Sequence, residues 1–214
     1  RCAMLCLAFL AMAFSVAVRA ESIVVSNYGT SPNGMPFAVA MEKGFFKEAG
    51  VAVDGILSSD GGGSTIRNLL GGKLAYAEAA PSAVVAAVQG GADLRVISGN
   101  VHTVAEFVWV VMPNSPIKSI KDLAGKRIGF TNPGSTSEAL DHLLLEAAKI
   151  PSSAVTLART GGFGAGLTVL ELGGMDIVPI TEPMFSSHPG KYRIVAAAPE
   201  VLPPLSNVVG VTTG

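Results

Sequence analysis

Cysteine is nearly missing from this sequence: Cys2 and Cys6 are the only two among 214 residues. Both lie in the first twenty residues, so the remainder holds no thiol. That excludes a disulfide framework, a cysteine-ligated metal and a cysteine nucleophile. Aromatic residues make up 6% of the chain, too few for a base-stacking platform. Charge is also scarce. Without Arg1 and Arg19, the 15 basic residues fall to 13 against 16 acidic ones, a net charge of −3. With no basic face, nucleic acid is not an expected partner.

Nucleotide-loop and enzyme motifs are absent too. The stretch "SSDGGGSTIRNLLGG" (58–72) looks like a phosphate-cradling loop, but a Walker-type loop places a glycine five residues ahead of its Gly-Lys pair. At Gly72-Lys73 that place is taken by Arg67, and Leu74 follows where Ser or Thr is required. The G-x-G-x-x-G spacing fails at Ile66 and again, from Gly162, at Leu167. No H-E-x-x-H or G-x-S-x-G occurs, and His102, His142 and His188 lie far apart. No catalytic residue, metal site or cofactor is expected. The histidines read as surface or helix filler, except His102, which follows a strand end near Asn100.

At the amino end, Cys2–Val18 is apolar apart from Ser15, and Val18 and Ala20 suit cleavage after Ala20. Residues 1–20 are read as a secretory signal peptide, with a short membrane anchor as the alternative. The chain lacks an initiator Met and ends in the apolar run "NVVGVTTG", so it is expected to be open at both ends.

Short β-branched runs alternate with helical patterns after residue 20. Strands are expected at Ile23–Ser26, Val51–Leu57, Leu74–Ala77, Leu94–Ser98, Phe107–Met112, Arg127–Phe130, Val155–Ala158, Ile177–Ile180 and Arg193–Ala197. One helix carries Phe37, Ala38, Met41 and Phe45 on a single face, with Lys43-Gly44 near its end; Ile66, Leu69 and Leu70 mark another, and Leu140, Leu143, Leu144, Ala147 and Ala148 a third. Such alternation indicates an α/β fold. "LGGKLAYAEAAP" (70–81) is echoed by "LGGMDIVPITEP" (172–183) at an offset of 102, which also pairs "DGGGST" with "GGFGAG". Two similar lobes with mixed, mostly parallel sheets follow, either by duplication or as two generic α/β units. Residues 21–110 form lobe 1 and 111–204 lobe 2. Residues 205–214 return into lobe 1 as a truncated second crossover.

Three small, hydroxyl-rich helix starts follow strands: Gly63-Ser64-Thr65, Pro81-Ser82, and Ser135-Thr136, where Ser135 and Glu138 form a capping box. Free N–H groups and the helix dipole make such termini anion sites. Each alone is commonly a structural cap; three across two lobes favour a cleft holding a small ligand. No arginine stands out at a strand end. Glu78 and Glu182 lie near the expected cleft edges, either facing a ligand N–H or solvated and paired.

Several stretches resemble one family. "AMEKGFFKEAGV" (40–51), the glycine-rich helix start, "QGGADLRVI" (89–97), "SPIKSIKDLAGKRIGF" (115–130), "GSTSEALDHLL" (134–144) and "DIVPITEP" (176–183) are similar to the nitrate/sulfonate/taurine-type periplasmic solute-binding proteins of ABC importers. The resemblance covers about residues 22–214. It implies the type II periplasmic-binding-protein fold, closing by hinge motion over a solute, with a membrane permease as partner and a monomeric, periplasmic protein. Its cleft loops map onto Asn27, Tyr28, Gly63, Ser64, Thr65, Pro81, Ser82, Ser135, Thr136 and Glu182, to which the strand-end reading adds His102. Ala75 departs from the acid common after the glycine pair, whereas Asp176 keeps it. Relatives also continue past Gly214. The rival readings are a pyrimidine- or quinone-precursor synthase on the same fold, which the signal peptide disfavours, and a receptor's sensor module.

Overall fold

A computed structural model describes residues 21–72 and 74–214; the expected signal peptide lies outside them. The first half runs β1 (Glu21–Ser26), α1 (Met35–Lys43), α2 (Phe45–Glu48), β2 (Val53–Ser59), α3 (Gly63–Gly72), β3 (Ala77–Ala79), α4 (Pro81–Gln89) and β4 (Leu94–Val101). Then come β5 (Phe107–Val111), β6 (Arg127–Phe130), α5 (Thr136–Ala148), β7 (Thr156–Arg159), α6 (Phe163–Glu171), β8 (Val178–Thr181), α7 (Glu182–Ser186), β9 (Arg193–Ala197), α8 (Ala198–Val201) and β10 (Val208–Thr213).

The two lobes share one strand order. In the first it is β2-β1-β3-β10-β4. In the second, β7-β6 and β8-β5-β9 are joined by a parallel bridge between Ile128 and Ile177, giving β7-β6-β8-β5-β9. The offset of 102 therefore aligns β2 with β7, α3 with α6 and β3 with β8. Parallel pairing links β1 to β2 and β3 and β6 to β7. The antiparallel members are β10 in the first lobe and β5 in the second. Each arrives from the other lobe rather than by a crossover within its own sheet, so nothing returns it to the parallel sense. The sheets are mixed for this reason, with parallel and antiparallel pairs in similar number.

Strand pairing shifts two sequence boundaries. Because β5 pairs with β8 and β9, Phe107–Val111 belongs with the second sheet, and the chain crosses at residues 102–106 rather than at 110. The return segment is itself a strand of the lobe-1 sheet, β10, between β3 and β4. Two local expectations also move, the place of Phe45 and the start of β3, while the end of α1 falls at the expected Lys43-Gly44 pair. Helix α1 stops at Gly44, whose φ of +77° lets its N–H cap Ala40 and Met41 in the left-handed turn glycine favours. Phe45 therefore falls outside α1 and is 50% exposed. Strand β3 starts late because Leu74 is held at the end of α3, its N–H donating to Leu69 O at 3.4 Å.

The larger core lies in lobe 2, around Trp109, Leu123, Ile128, Leu144 and Ile180. There the indole of Trp109 donates to Asp141 at 2.7 Å, satisfying a buried N–H as such rings require. Lobe 1 has a smaller core around Val24, Leu69, Ala77 and Val211, and leaves Val85, Val88, Val96 and Ile97 about half exposed. No helix among the described residues is long and apolar enough to cross a membrane.

Candidate functional site

Parallel strands deliver their carboxyl ends, and the helices that follow, to one edge of each sheet. The two edges face each other across a cavity of about 30 Å³, room for about two waters. Four helices present their amino ends to it. Gly61 and Gly62 lead into α3, Ala80 caps α4, Ser135–Ser137 open α5, and Phe163 opens α6. The rest of the lining is uncharged: Ser26, Asn27, Ser31, Asn33, Phe107, Thr131, Asn207 and Val208.

The polar groups here are wired to one another. Ser26 and Ser59 both hydrogen-bond Thr65, at 2.8 and 2.6 Å. On the facing lobe, Ser137 Oγ accepts from the Thr131 N–H and contacts the Thr131 and Ser135 hydroxyls, all at 2.9 Å. Ser135 caps α5 by accepting from Glu138 N–H at 3.2 Å. The reciprocal half of the expected capping box is displaced by one residue: Glu138 accepts from Gly134 N–H at 2.6 Å. Behind the first-lobe wall lies Glu78, fully buried. It accepts from Asn33 Nδ2 at 3.0 and 2.7 Å. Burial lifts its carboxyl to about 7, against the hydrogen bonds from Asn33 and Ser26 that draw it down. Burial likewise raises Glu106, which accepts from Asn207 Nδ2 at 2.6 Å.

A wider, open volume of about 660 Å³ adjoins this cavity and shares Ser31 with it. Tyr28, Pro32, Met35 and Ala38 from lobe 1 face Thr181, Pro183, Met184 and His188 from lobe 2. Its size suits a small organic molecule.

Hydrogen bonds seam the lobes together beside the cavity. Gly63 N–H donates to Pro133 O at 2.9 Å, Asn132 Nδ2 to Asp60 O at 2.8 Å, Ser82 Oγ to Gly134 O at 2.8 Å, and Thr136 Oγ1 to Asn207 O at 3.0 Å. Gly62 makes the approach possible. A Cβ there would lie 2.6 Å from Pro133 O and 2.7 Å from Ser135 N, and its φ is +58°.

A family profile described as NMT1/THI5 like matches residues 31–180, 150 of the 214 positions. The chain belongs to the NMT1/THI5-like family. No curated protein matches it significantly. Among solved structures, this NMT1/THI5-like chain is similar to the alkanesulfonate-binding protein SsuA of Xanthomonas axonopodis pv. citri, bound to MOPS. The identity is 18% and the TM-score 0.75, with 91% of this chain and 65% of that one covered. The periplasmic aliphatic sulphonate-binding SsuA of Escherichia coli gives 18% and 0.71 over the same shares. PhnD1 of Prochlorococcus marinus, in complex with methylphosphonate, gives 15% and 0.66, covering 91% and 76%. At these identities the likeness shows the fold: two α/β lobes of the periplasmic-binding-protein type. The chain spans 65% of the length of either SsuA.

Asn27, Ser135 and Thr136 line the inner cavity, and Tyr28 the outer volume. Gly63 and Ser82 stand in the interlobe seam, and Pro81 is the first residue of α4. Ser64 turns its hydroxyl to Gly61 O at 2.6 Å, while Thr65 is buried in the Ser26–Ser59 cluster. Neither hydroxyl borders the cavity. Glu182, at the start of α7, bonds Ser186 at 2.6 Å beside the outer volume. His102 is exposed and lies over Gly99, apart from both volumes. Sequence reasoning missed Asn33, Phe107, Thr131, Phe163 and Asn207. The polar turn "NYGTSPNG" (27–34) was a usable signal for Asn33. It also missed Arg159, which ends β7 and donates from Nε to Asn132 Oδ1 at 2.5 Å, a cation at a strand end one residue behind the cavity wall.

Proposed function

We propose that this protein is the solute-binding component of an ABC-type importer, holding a small organic anion between its lobes, with a sulfonate as the best-fitting class. One observation carries the reading: four helix amino ends, from both lobes, meet on a cavity lined by hydroxyls, amides and backbone without a charged side chain. Each terminus brings the partial positive charge of its helix, and together they favour an anion that no salt bridge neutralises. The fold shared with sulfonate- and phosphonate-binding proteins supports the same class.

Closure explains how capture works. The inner cavity of about 30 Å³ is far below the few hundred that an organic solute occupies, so the lobes separate to admit one. The seam donors Gly63 N–H, Ser82 Oγ and Thr136 Oγ1 now point at carbonyls of the opposite lobe. When the lobes close on a solute, its sulfonate oxygens replace the carbonyls that Ser82 Oγ and Thr136 Oγ1 now meet, while the Gly63–Pro133 bond stays in the seam. The chain acts as a carrier rather than an enzyme: a monomer in the periplasm that hands its solute to a membrane permease. Calorimetric titration of the full-length protein with alkane- and aminoalkanesulfonates tests this. Saturable one-to-one binding with no chemical change is expected. Failure of every sulfonate to bind, or product formation from one, overturns it.

A further inference from the structure

Glu78 is fully buried two residues before the α4 cap, in a strand otherwise made of alanine, and nothing in anion capture calls for a carboxylate there. Its carboxylate accepts from the side-chain amide of Asn33, which borders the inner cavity. Asn33 spends its amino group on the Glu78 carboxylate and on Ser26 O at 3.1 Å. Its carbonyl oxygen, Oδ1, is buried with no partner.

We propose that Glu78 fixes the amide of Asn33 so that Oδ1 accepts a hydrogen bond from the solute, and that the site therefore selects anions that also carry an N–H or O–H donor. The inference rests on the anion-capture reading and narrows its ligand class. An ionised carboxylate only accepts, so it can face the amino side of Asn33 and not the carbonyl side. The turn holding Asn33 is itself rigid: Pro32 precedes it, and Gly34 packs against the Tyr28 ring, where a Cβ would lie 3.0 Å from Tyr28 Cδ2. A buried acceptor left unpaired costs more than a satisfied hydrogen bond returns. A solute with a donor removes that penalty, and one without a donor seals it in. Glu78 is thus a positioning residue, and Asn33 the group that reads the solute.

Titration of the full-length protein at about pH 8, where the Glu78 carboxyl is ionised, tests the inference with two matched pairs: taurine against propane-1-sulfonate, and β-alanine against butanoate. A preference of about tenfold or more for the donor-bearing member is expected. In Glu78→Gln the partner side chain offers a donor as well as an acceptor, and in Asn33→Ala the reader is gone. In both, the ratio is expected to fall to about one. General loss of structure lowers both members together and leaves the ratio unchanged. The fluorescence of buried Trp109, remote in lobe 2, checks folding, and Asn33→Ala carries the test if Glu78→Gln does not fold. Equal affinity within both pairs, or a preference that survives either substitution, overturns the inference while anion capture stands. Discrimination within the carboxylate pair without sulfonate binding keeps the inference and overturns the sulfonate assignment. No binding of any of the four overturns both.

Discussion

Glu78 makes stability depend on pH whatever the ligand proves to be. Its carboxyl titrates near 4.5 when free and at about 7 in the fold, so the folded state holds its proton more tightly than the unfolded one. A raised folded value means the contribution to stability is fully present below about pH 4.5 and is lost as pH rises through about 7. The difference amounts to roughly 3 kcal/mol. Urea denaturation at about pH 4.5 and 7.5 should show that loss in the wild type and a flatter profile in Glu78→Gln. A wild-type profile that stays level across the window would mean the carboxyl titrates normally. Gly62 is the second residue whose identity is dictated locally. Gly62→Ala places a methyl against Pro133 O and Ser135 N at a positive φ, a strain of about 1 kcal/mol or more. Since those atoms belong to the opposite lobe, the substitution should weaken solute binding by about fivefold or more. The positive φ strains the fold with or without solute, so the thermal midpoint without solute should fall by a few degrees as well. Unchanged affinity would place the Gly62 contact outside the closed, liganded state.

At the scale of elements, the strand–helix alternation and the repeat were legible because both rest on local pattern. Arg127–Phe130 and Arg193–Ala197 match the expected strands residue for residue, and the offset of 102 reappears as an identical strand order. The misses come from tertiary choices. β10 reads from sequence as a crossover tail, yet it closes a sheet between β3 and β4, a decision made by its partners. The glycine run of 58–72 reads as ligand-facing throughout; Gly61 and Gly62 line the cavity, but Ser64 spends its hydroxyl on Gly61 O and Thr65 on Ser26 and Ser59. Glu78 was noticed as a carboxylate, while its burial and its hold on Asn33 depend on a turn 45 residues away. The repeat is also uneven. Asp176 accepts from the Arg127 backbone N–H at 2.8 Å and from its guanidinium at 2.7 and 3.1 Å, pinning β6 to the start of β8. Leu74, its counterpart at the offset of 102, can do nothing comparable in lobe 1. Asp176→Ala should therefore cost about 1 kcal/mol or more, chiefly through the unpaired backbone N–H. Arg127→Ala should cost less, because the ion pair itself is exposed. Chemical denaturation that ranks them the other way would put the guanidinium, not the backbone bond, in charge of that junction.

For the whole molecule, the decisive quantity is the free-energy difference between open and closed lobes. A solute shifts that balance only by its differential affinity, and any bond made solely in the closed form adds to the apparent affinity by the same amount. Asn132 isolates this effect. Its Nδ2 donates across the seam to Asp60 O, its Oδ1 accepts from Arg159, and it is not part of the inner cavity lining. Asn132→Ala therefore removes a closed-state bond without removing a wall. A typical net hydrogen bond of about 1 kcal/mol predicts a Kd raised about fivefold. Most of that change should appear in dissociation, since the seam forms after the solute has entered. Amide exchange at Gly63, whose N–H is sheltered by Pro133 O across the same seam, should quicken in step. Stopped-flow binding with hydrogen-exchange measurement checks both together. Weaker binding with a slowed association rate and unchanged exchange would show that Asn132 shapes the open lobe instead, and that the seam is not what holds the solute in.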